Sequence, residues 1–307
     1  MSSQTNKQPT LKKISKGLTV GSIMTGSTFF HGPPVLALGL TKLFKKSKKV
    51  DETNIKITNS WLTVNNWLID HVLPNTKWDI TIDEGLDLNL HGRYLMTCNH
   101  QSWVDTTVNQ YFGLTRMPLT RFFTKWELIF IPFVGQAFKI LGFPMMKRHS
   151  KEQIAKNPEL KYRDMEEARK SCEQLLSQPF TLLNYLEGTR FTPEKHAQQQ
   201  SPYQNLLKPK AGGLALALNI LGDQVDALVD MTIVYPNGAP GYGEFWLGEV
   251  PRIAVDLRKI EIPTWVHGGN YEDDAEFREK FQHWVDELWT EKDQLITRMK
   301  AKYSVTE

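Results

Sequence analysis

Two short apolar runs constrain this chain most, because each stops abruptly on a polar loop. Arg93-Tyr94-Leu95-Met96-Thr97-Cys98 gives way to Asn99-His100-Gln101-Ser102, and Thr181-Leu182-Leu183-Asn184-Tyr185-Leu186 passes at once into Glu187-Gly188-Thr189-Arg190. Short continuous apolar runs bounded by turn residues are the pattern of buried strands. With helical stretches between them, they predict an α/β fold with a mixed central sheet flanked by helices. Ligands of open α/β sheets bind at the carboxyl ends of the strands, so His100 and Arg190 are expected on one functional edge.

The first junction carries a pattern with chemical content. Ser102 is a good N-cap residue, so a helix is predicted to begin near it. Asp105 then lies in the first turns of that helix and can fold back on the imidazole. A carboxylate on one ring nitrogen fixes the tautomer and leaves the other free to take a proton. Of the eight histidines, only His100 has Asp five residues on. A serine nucleophile at Ser102 is the hydrolase alternative, but no Gly-x-Ser-x-Gly elbow exists. The two cysteines, Cys98 and Cys172, lack metal-ligand spacing. They point to a reducing compartment without disulfides, and Cys98 reads as a small buried strand residue.

The formal net charge of +3 conceals a polarity. Residues 1–50 hold nine Lys and no Asp, Glu or Arg, which leaves −6 on the remainder. A basic arm on an acidic body predicts an anionic partner, either lipid headgroups or nucleic acid. Inside the arm, residues 17–41 contain no charged side chain, yet only 11 of these 25 are apolar and Pro33-Pro34 interrupts them. A single crossing needs about 20 mostly apolar residues. A hairpin or interfacial helix pair between lysine-rich flanks is therefore expected, and the division is 1–50 as a membrane-anchoring arm and 51–307 as the main domain. No Ala-x-Ala site follows to mark a signal peptide.

Further along, periodicity predicts an amphipathic helix over 53–72 and strands at 78–82 and 86–90. A buried, partly irregular apolar segment over 128–143 runs into a short strand that ends on Lys147-Arg148. A helix over 159–176, the 181–186 strand, a helix over 214–221 opened by Lys208-Pro209-Lys210-Ala211-Gly212-Gly213, and a long strand over 226–235 follow. More strands are expected over 245–257. A charged helix over 273–302 has one apolar stripe of Phe277, Phe281, Trp284, Val285, Leu288 and Trp289. Lysines and glycines at a helix start suit an anion.

Four separated blocks now form a set. Asn99-His100-Gln101-Ser102-Trp103-Val104-Asp105 resembles motif I of the glycerolipid acyltransferases, the PlsC-like family. Lys125 to Arg148, with Gly142, Phe143 and Arg148, is similar to motif II. Glu187-Gly188-Thr189-Arg190 matches motif III, and Val234-Tyr235-Pro236 looks like motif IV. The whole most resembles the bacterial YihG-type branch over about residues 90–240, with Tyr185-Leu186 standing where many members have Phe-Pro. The resemblance implies a membrane-bound 1-acylglycerol-3-phosphate O-acyltransferase that makes phosphatidic acid. His100 would be the general base and Asp105 its orienter. Arg190 and Arg148, with Glu187, Gly188 and Thr189, would form the substrate-phosphate site, and Asn99, Gly142, Phe143 and Pro236 would support the motifs. It implies no metal and no cofactor, since acyl-CoA or acyl-ACP is a co-substrate. The partners would be an anionic phospholipid membrane and a lysophospholipid acceptor, with no nucleic acid, at the cytoplasmic face of a bacterial inner membrane. Segment 128–143 would line the acyl slot. The alternatives are remodelling of another lysophospholipid, or a lipid-binding scaffold or serine hydrolase.

Overall fold

The computed structural model describes residues 11–42, 44, 47–146, 151–157 and 159–304. It begins with two packed helices, α1 (Leu11–Thr41) and α2 (Lys48–Val72). Pro33-Pro34 was expected to break the first, but α1 runs through both. Each proline removes the donor to a carbonyl one turn back, at Phe29 and Phe30. Tertiary contacts hold the helix regardless. Val20 and Val35 are buried, Lys16 Nζ donates to Val72 O at 2.9 Å, and His31 Nε2 meets Ser60 Oγ of α2 at 3.3 Å. A Cβ on Gly32 would stand 2.7 Å from Phe133 Cβ, so glycine is what allows this close approach. The boundary expected at residue 50 falls inside α2, and Val20 belongs to the same apolar cluster as the central strands. Among the described residues, no helix is long and apolar enough to cross a membrane.

β1 (Lys77–Ile82) and β2 (Arg93–Cys98) follow, then α3 (Val104–Gly113) and β3 (Thr120–Phe122). The alternating segment 86–90 is not a strand. The Tyr94 hydroxyl takes up its polar groups instead, accepting from Asn89 N at 2.9 Å and donating to Asp87 O at 3.1 Å. β4 (Thr124–Lys125), a 3₁₀ turn (Trp126–Phe130), α4 (Val134–Ile140) and β5 (Met145–Met146) form an excursion closed by parallel β4–β5 pairing. This is the predicted apolar segment, but it is not wholly buried: Phe130 is 77% exposed and Ile131 is exposed as well. The short strand at its end joins β4 and not the main sheet. Arg148 and Lys147 lie outside the described residues.

The chain continues through α5 (Lys151–Lys156), α6 (Glu159–Leu175), β6 (Phe180–Tyr185), α7 (Pro193–Gln199), α8 (Gly212–Leu221), β7 (Ala227–Val234), α9 (Tyr242–Leu247), β8 (Arg252–Ile260) and α10 (Ala275–Ser304). Residues 245–247, expected to be extended, are the end of α9. Gly241 N donates to Glu244 Oε2 at 2.6 Å where that helix opens, and Gly248 at φ +76° closes it. The sheet order is β1-β8-β7-β2-β6-β3, mixed as expected, with β7 and β8 antiparallel and every other pair parallel.

The sheet alternation sorts side chains onto two faces. Tyr94, Met96 and Cys98 pack towards α2 and α3. Leu95 and Leu182 pack towards α6, α8 and α10, whose apolar stripe lies there as predicted. On that second face Lys292 of α10 is fully buried. It pairs with Asp230 of β7 at 2.8 Å and donates to Met231 O at 2.8 Å. For function the decisive result is that β7, β2 and β6 are parallel neighbours. Cys98 lies in register with both Tyr185 and Met231, so Asn99-His100 and Leu186-Glu187 leave the sheet side by side, while β7 runs on to Val234 and brings Tyr235 past them onto Asp105.

Candidate active site

His100 is held on almost every side. Its backbone N–H donates to Glu187 Oε1 at 2.6 Å, and its carbonyl accepts from Phe191 N at 2.7 Å. Its Nδ1 meets Asp105 Oδ2 at 2.9 Å. Its ring stacks on Tyr185, with centroids 4.2 Å apart and planes 21° apart. Among the described residues nothing bonds to Nε2, and the side chain keeps 14% of its surface open. A carboxylate partner assigns the proton to Nδ1 and leaves the Nε2 lone pair as the free acceptor.

Asp105 is fully buried and saturated. Oδ2 also accepts from Gln101 N at 2.7 Å and Ser102 N at 2.9 Å, and Oδ1 accepts from Tyr235 Oη at 2.7 Å. Burial, with Asp105 alongside, lifts the phenols of Tyr185 and Tyr235 well above their ordinary range, so both stay protonated. The backbone wraps around the carboxylate because α3 begins just past Ser102, as predicted, which leaves the N–H groups of residues 101 and 102 outside the helix and turned onto Asp105. Ser102 caps this helix as predicted, and it is not a nucleophile. Its Oγ donates to Pro240 O at 2.5 Å and accepts from Val104 N at 3.0 Å. Burial also pushes the Cys98 thiol up and away from thiolate reactivity.

Glu187 was grouped with the phosphate site, and the structure gives it another task. It is fully buried, and its second oxygen accepts from Leu207 N at 2.9 Å, so it staples the His100 turn to the 205–207 loop. A buried carboxyl whose two oxygens each accept a backbone N–H is not available to a phosphate. Nor does it pair with Arg190, whose guanidinium lies over the Trp103 ring at 4.3 Å. Gly188 takes φ +66°, and a side chain there would press on Lys210. Lys195 Nζ donates to Thr189 Oγ1 at 2.8 Å and to Arg190 O at 3.0 Å. Arg190, Lys195 and Lys210 thus gather around the loop that follows β6, which reaches the His100 carbonyl through Phe191 N.

The supporting residues also find places. Asn99 is fully buried and bridges β2 to β7 through Ile233, Nδ2 to O at 2.8 Å and N to Oδ1 at 2.9 Å. Pro236 begins the turn closed by Gly238 N to Tyr235 O at 3.0 Å. Gly142 at φ +78° ends α4, where buried Arg121 donates to Leu141 O at 2.6 Å. Phe143 stacks edge-on against Phe122 at 5.2 Å. Phe143, Phe138 and Trp103 all line a cavity of about 630 Å³ between α2, α3 and α4.

Comparison with known proteins now has a geometry to rest on. The profile of the Acyltransferase family matches residues 79–236, half of the chain. The chain belongs to the Acyltransferase family. Its similarity extends to the 2-acyl-1-lysophosphatidylinositol acyltransferase of Saccharomyces cerevisiae, 25% identical over 68% of this chain and 62% of that protein. Lysocardiolipin acyltransferase 1 of Gallus gallus is 23% identical over 79% of this chain and 62% of its own length. The chain therefore spans under two thirds of these relatives. In fold it is similar to the 1-acyl-sn-glycerophosphate acyltransferase PlsC of Thermotoga maritima, with a TM-score of 0.54, 16% identity, and coverage of 94% of this chain and 97% of that one. The fold is thus that of a PlsC-like member of the acyltransferase family.

Several residues of the site escaped sequence reasoning. Tyr185 was visible only as a departure from a Phe-Pro pattern, and it is the ring on which the imidazole rests. Trp103 and Lys195 gave no signal beyond being inside or next to motifs.

The buried staple has a measurable signature. Burial pushes the Glu187 carboxyl up to about 8, against the pull of its two N–H bonds. The folded value lies above that of an unfolded glutamate, so the folded state holds the proton more tightly. This contribution to stability is complete below the unfolded pKa, about 4.3, and is lost as pH rises through 8. In Glu187→Gln the melting temperature should fall less between pH 5 and 9 than in the parent protein, by differential scanning calorimetry. Equal pH slopes would refute it.

Proposed function

We propose that this protein transfers a fatty acyl group from an acyl-CoA or acyl-ACP thioester to the sn-2 hydroxyl of 1-acyl-sn-glycerol-3-phosphate, giving phosphatidic acid. The observation that carries this reading is the free Nε2 of an otherwise fully fixed His100, with Arg190 braced on Trp103 at the same sheet edge. Nε2 takes the proton of the acceptor hydroxyl as its oxygen attacks the thioester carbonyl. The carbon–sulfur bond then breaks, and the thiolate recovers the proton from the imidazolium. The thioester is already activated, so the base needs no cofactor and no acyl-enzyme. Arg190, with Lys195 and Lys210 behind it, suits a phosphate, for which a guanidinium fork is the better grip. The cavity beside Trp103 suits the acyl chain, and Val134, Ala137 and Phe138 of the predicted 128–143 segment form part of its wall.

A membrane partner fits the outer surface. Phe30 is 75% exposed and Phe29, Leu40 and Phe130 are exposed too; exposed Lys12 opens the same helix, while Lys13 pairs with Glu249 and Lys42 with Asp51. Large exposed apolar patches mark interaction surfaces, and flanking lysines favour anionic lipid at a cytoplasmic face. Because α1 contributes to the core, the test is substitution and not deletion. The Phe30→Glu, Phe130→Glu double variant should stay folded but lose most sedimentation with phosphatidylglycerol vesicles. Full pelleting would place the docking surface elsewhere.

The names of the curated relatives favour a second reading, that the acceptor is another lysophospholipid. Radiolabelled oleoyl-CoA, incubated with purified protein and separate lysophospholipids, decides. Labelled phosphatidic acid is expected to form fastest. A faster product from lysophosphatidylinositol or lysocardiolipin would transfer the reading to remodelling, and free oleate alone would make the protein a hydrolase.

A further inference from the structure

The sheet has an open edge on the side remote from His100. β1 is its outermost strand, and β8 and β7 stand between it and β2. Among the described residues no strand pairs with the far side of β1. Lys77 N donates to Pro251 O and Asp83 N to Leu257 O, both at 2.9 Å. Peptide groups of a strand alternate sides, so residues 77, 79, 81 and 83 turn theirs to β8. Trp78, Ile80 and Ile82 turn theirs outward.

The same three residues form an apolar row. Trp78 is half-buried against Tyr111, with ring centroids 4.6 Å apart, and Ile80 and Ile82 are 37% and 38% exposed. Outward amides beside exposed apolar side chains are a template for another strand.

Charge decides which strand fits. A second copy of β1, running antiparallel about a two-fold axis, offers this edge the same row. Only registers that set even residues opposite even residues bond the outward amides. Centred on residue 79, the pairing puts the two Asp79 carboxylates opposite each other. Centred on residue 81, it puts Asp79 opposite Asp83. Centred on Ile80, it puts Lys77 opposite Asp83, Trp78 opposite Ile82 and Asp79 opposite Thr81, and the two Ile80 meet on the axis. Like charges directly opposite destabilise a pairing and opposite charges favour it, so the edge accepts one register and penalises its neighbours. Asp79 already holds Arg252 of its own copy, and Lys77 and Asp83 are exposed.

The axis of such a pairing is perpendicular to the sheet, so both copies keep the same face on the same side. α1 and α2 pack on the face that carries Trp78. Both copies therefore present these helices to one side, as docking on one membrane requires.

We propose that β1 is a self-pairing surface, through which two copies of this chain form an antiparallel dimer centred on Ile80. A six-residue edge is short against the roughly 1,200–2,000 Å² of a stable interface. The dimer is accordingly weak in solution and forms where membrane docking concentrates the chains. In that respect it rests on the membrane reading above.

The test is disulfide trapping of the whole chain on phosphatidylglycerol vesicles. Lys77→Cys and Asp83→Cys are oxidised mildly, each alone and mixed in equal amounts, and resolved on non-reducing gels. The native thiols, Cys98 and Cys172, are buried, and the parent protein gives the background. In the centred register residues 77 and 83 lie opposite with about 4.5 Å between Cα atoms, which a disulfide spans. Two copies of either variant alone hold their thiols about 20 Å apart. The mixture should therefore form covalent dimer roughly tenfold faster than either variant alone. Adding Ile80→Lys to both variants sets two like charges on the axis and should return the mixture to background. Co-sedimentation of the same samples separates the two readings. Protein that pellets without excess dimer in the mixture, or an excess that survives Ile80→Lys, overturns the pairing and leaves membrane docking standing. Protein that stays in the supernatant overturns the docking. The oxidation is then repeated in concentrated solution, where an excess supports the pairing and none overturns it.

Discussion

His100→Ala should lose at least the roughly 10²–10⁴-fold in kcat that a positioned general base contributes, while its melting temperature changes little. The side chain beyond Cβ makes one hydrogen bond and one stacking contact, to Asp105 and Tyr185. Its backbone contacts to Glu187 and Phe191 survive the substitution. A merely structural histidine at this place would show the reverse, with lost stability and retained turnover. Asp105→Asn is the companion test. Four donors converge on this carboxylate, so an amide must turn its NH₂ towards at least one of them, and the imidazole loses the partner that keeps its proton on Nδ1. A fall in kcat of similar order is expected, together with a measurable loss of stability because the amide leaves buried donors unmet. A folded His100→Ala protein with near-normal turnover would remove the histidine from the mechanism.

Legibility followed the physics of each element. Strands buried on both faces, such as 93–98, 181–186 and 226–235, announce themselves as apolar runs, and they were placed to within a residue or two. The His100–Asp105 pair was legible because one local turn builds it. What could not be read is anything settled across the sheet. Residues 86–90 alternate like a strand, but the Tyr94 hydroxyl supplies their hydrogen bonds. Pro33-Pro34 would break a solitary helix, and packing against α2 and α4 outweighs that local cost. Lys292 lies between Glu291 and Asp293 in a charged helix, and only the fold brings Asp230 beneath it. Glu187 is the clearest case. Its place in Glu-Gly-Thr-Arg suggests a shared task with Arg190, yet a strand that ends two residues before it turns its side chain inward, onto the backbone N–H of His100 and of Leu207. The motif is one stretch of sequence whose side chains point two ways, Glu187 inward onto backbone N–H groups and Arg190 onto Trp103.

That separation makes Arg190 testable without ambiguity. Arg190→Lys should raise the acceptor KM by roughly 10–100-fold, the range that one or two charge-assisted hydrogen bonds supply, with the donor KM nearly unchanged. The lysine keeps the charge but loses the planar fork that can grip two phosphate oxygens, and it no longer lies flat on Trp103. Arg190→Ala should be worse and should lower kcat as well, because a phosphate left loose no longer holds the attacking hydroxyl in line with Nε2. Trp103→Leu separates grip from bracing. It leaves the guanidinium and removes the ring 4.3 Å from it. An exposed cation–π contact is worth about 0.5–1 kcal/mol, so acceptor KM should rise a few-fold only, and Trp103→Phe should restore most of it. The rival account, an ion pair between Arg190 and Glu187 that stabilises the loop, predicts the opposite split. Both Glu187 oxygens are already bonded to backbone N–H groups, so Arg190→Lys should leave the melting temperature within about a degree. A large fall in stability with acceptor KM unmoved would return Arg190 to a structural role and leave the phosphate to Lys195 and Lys210.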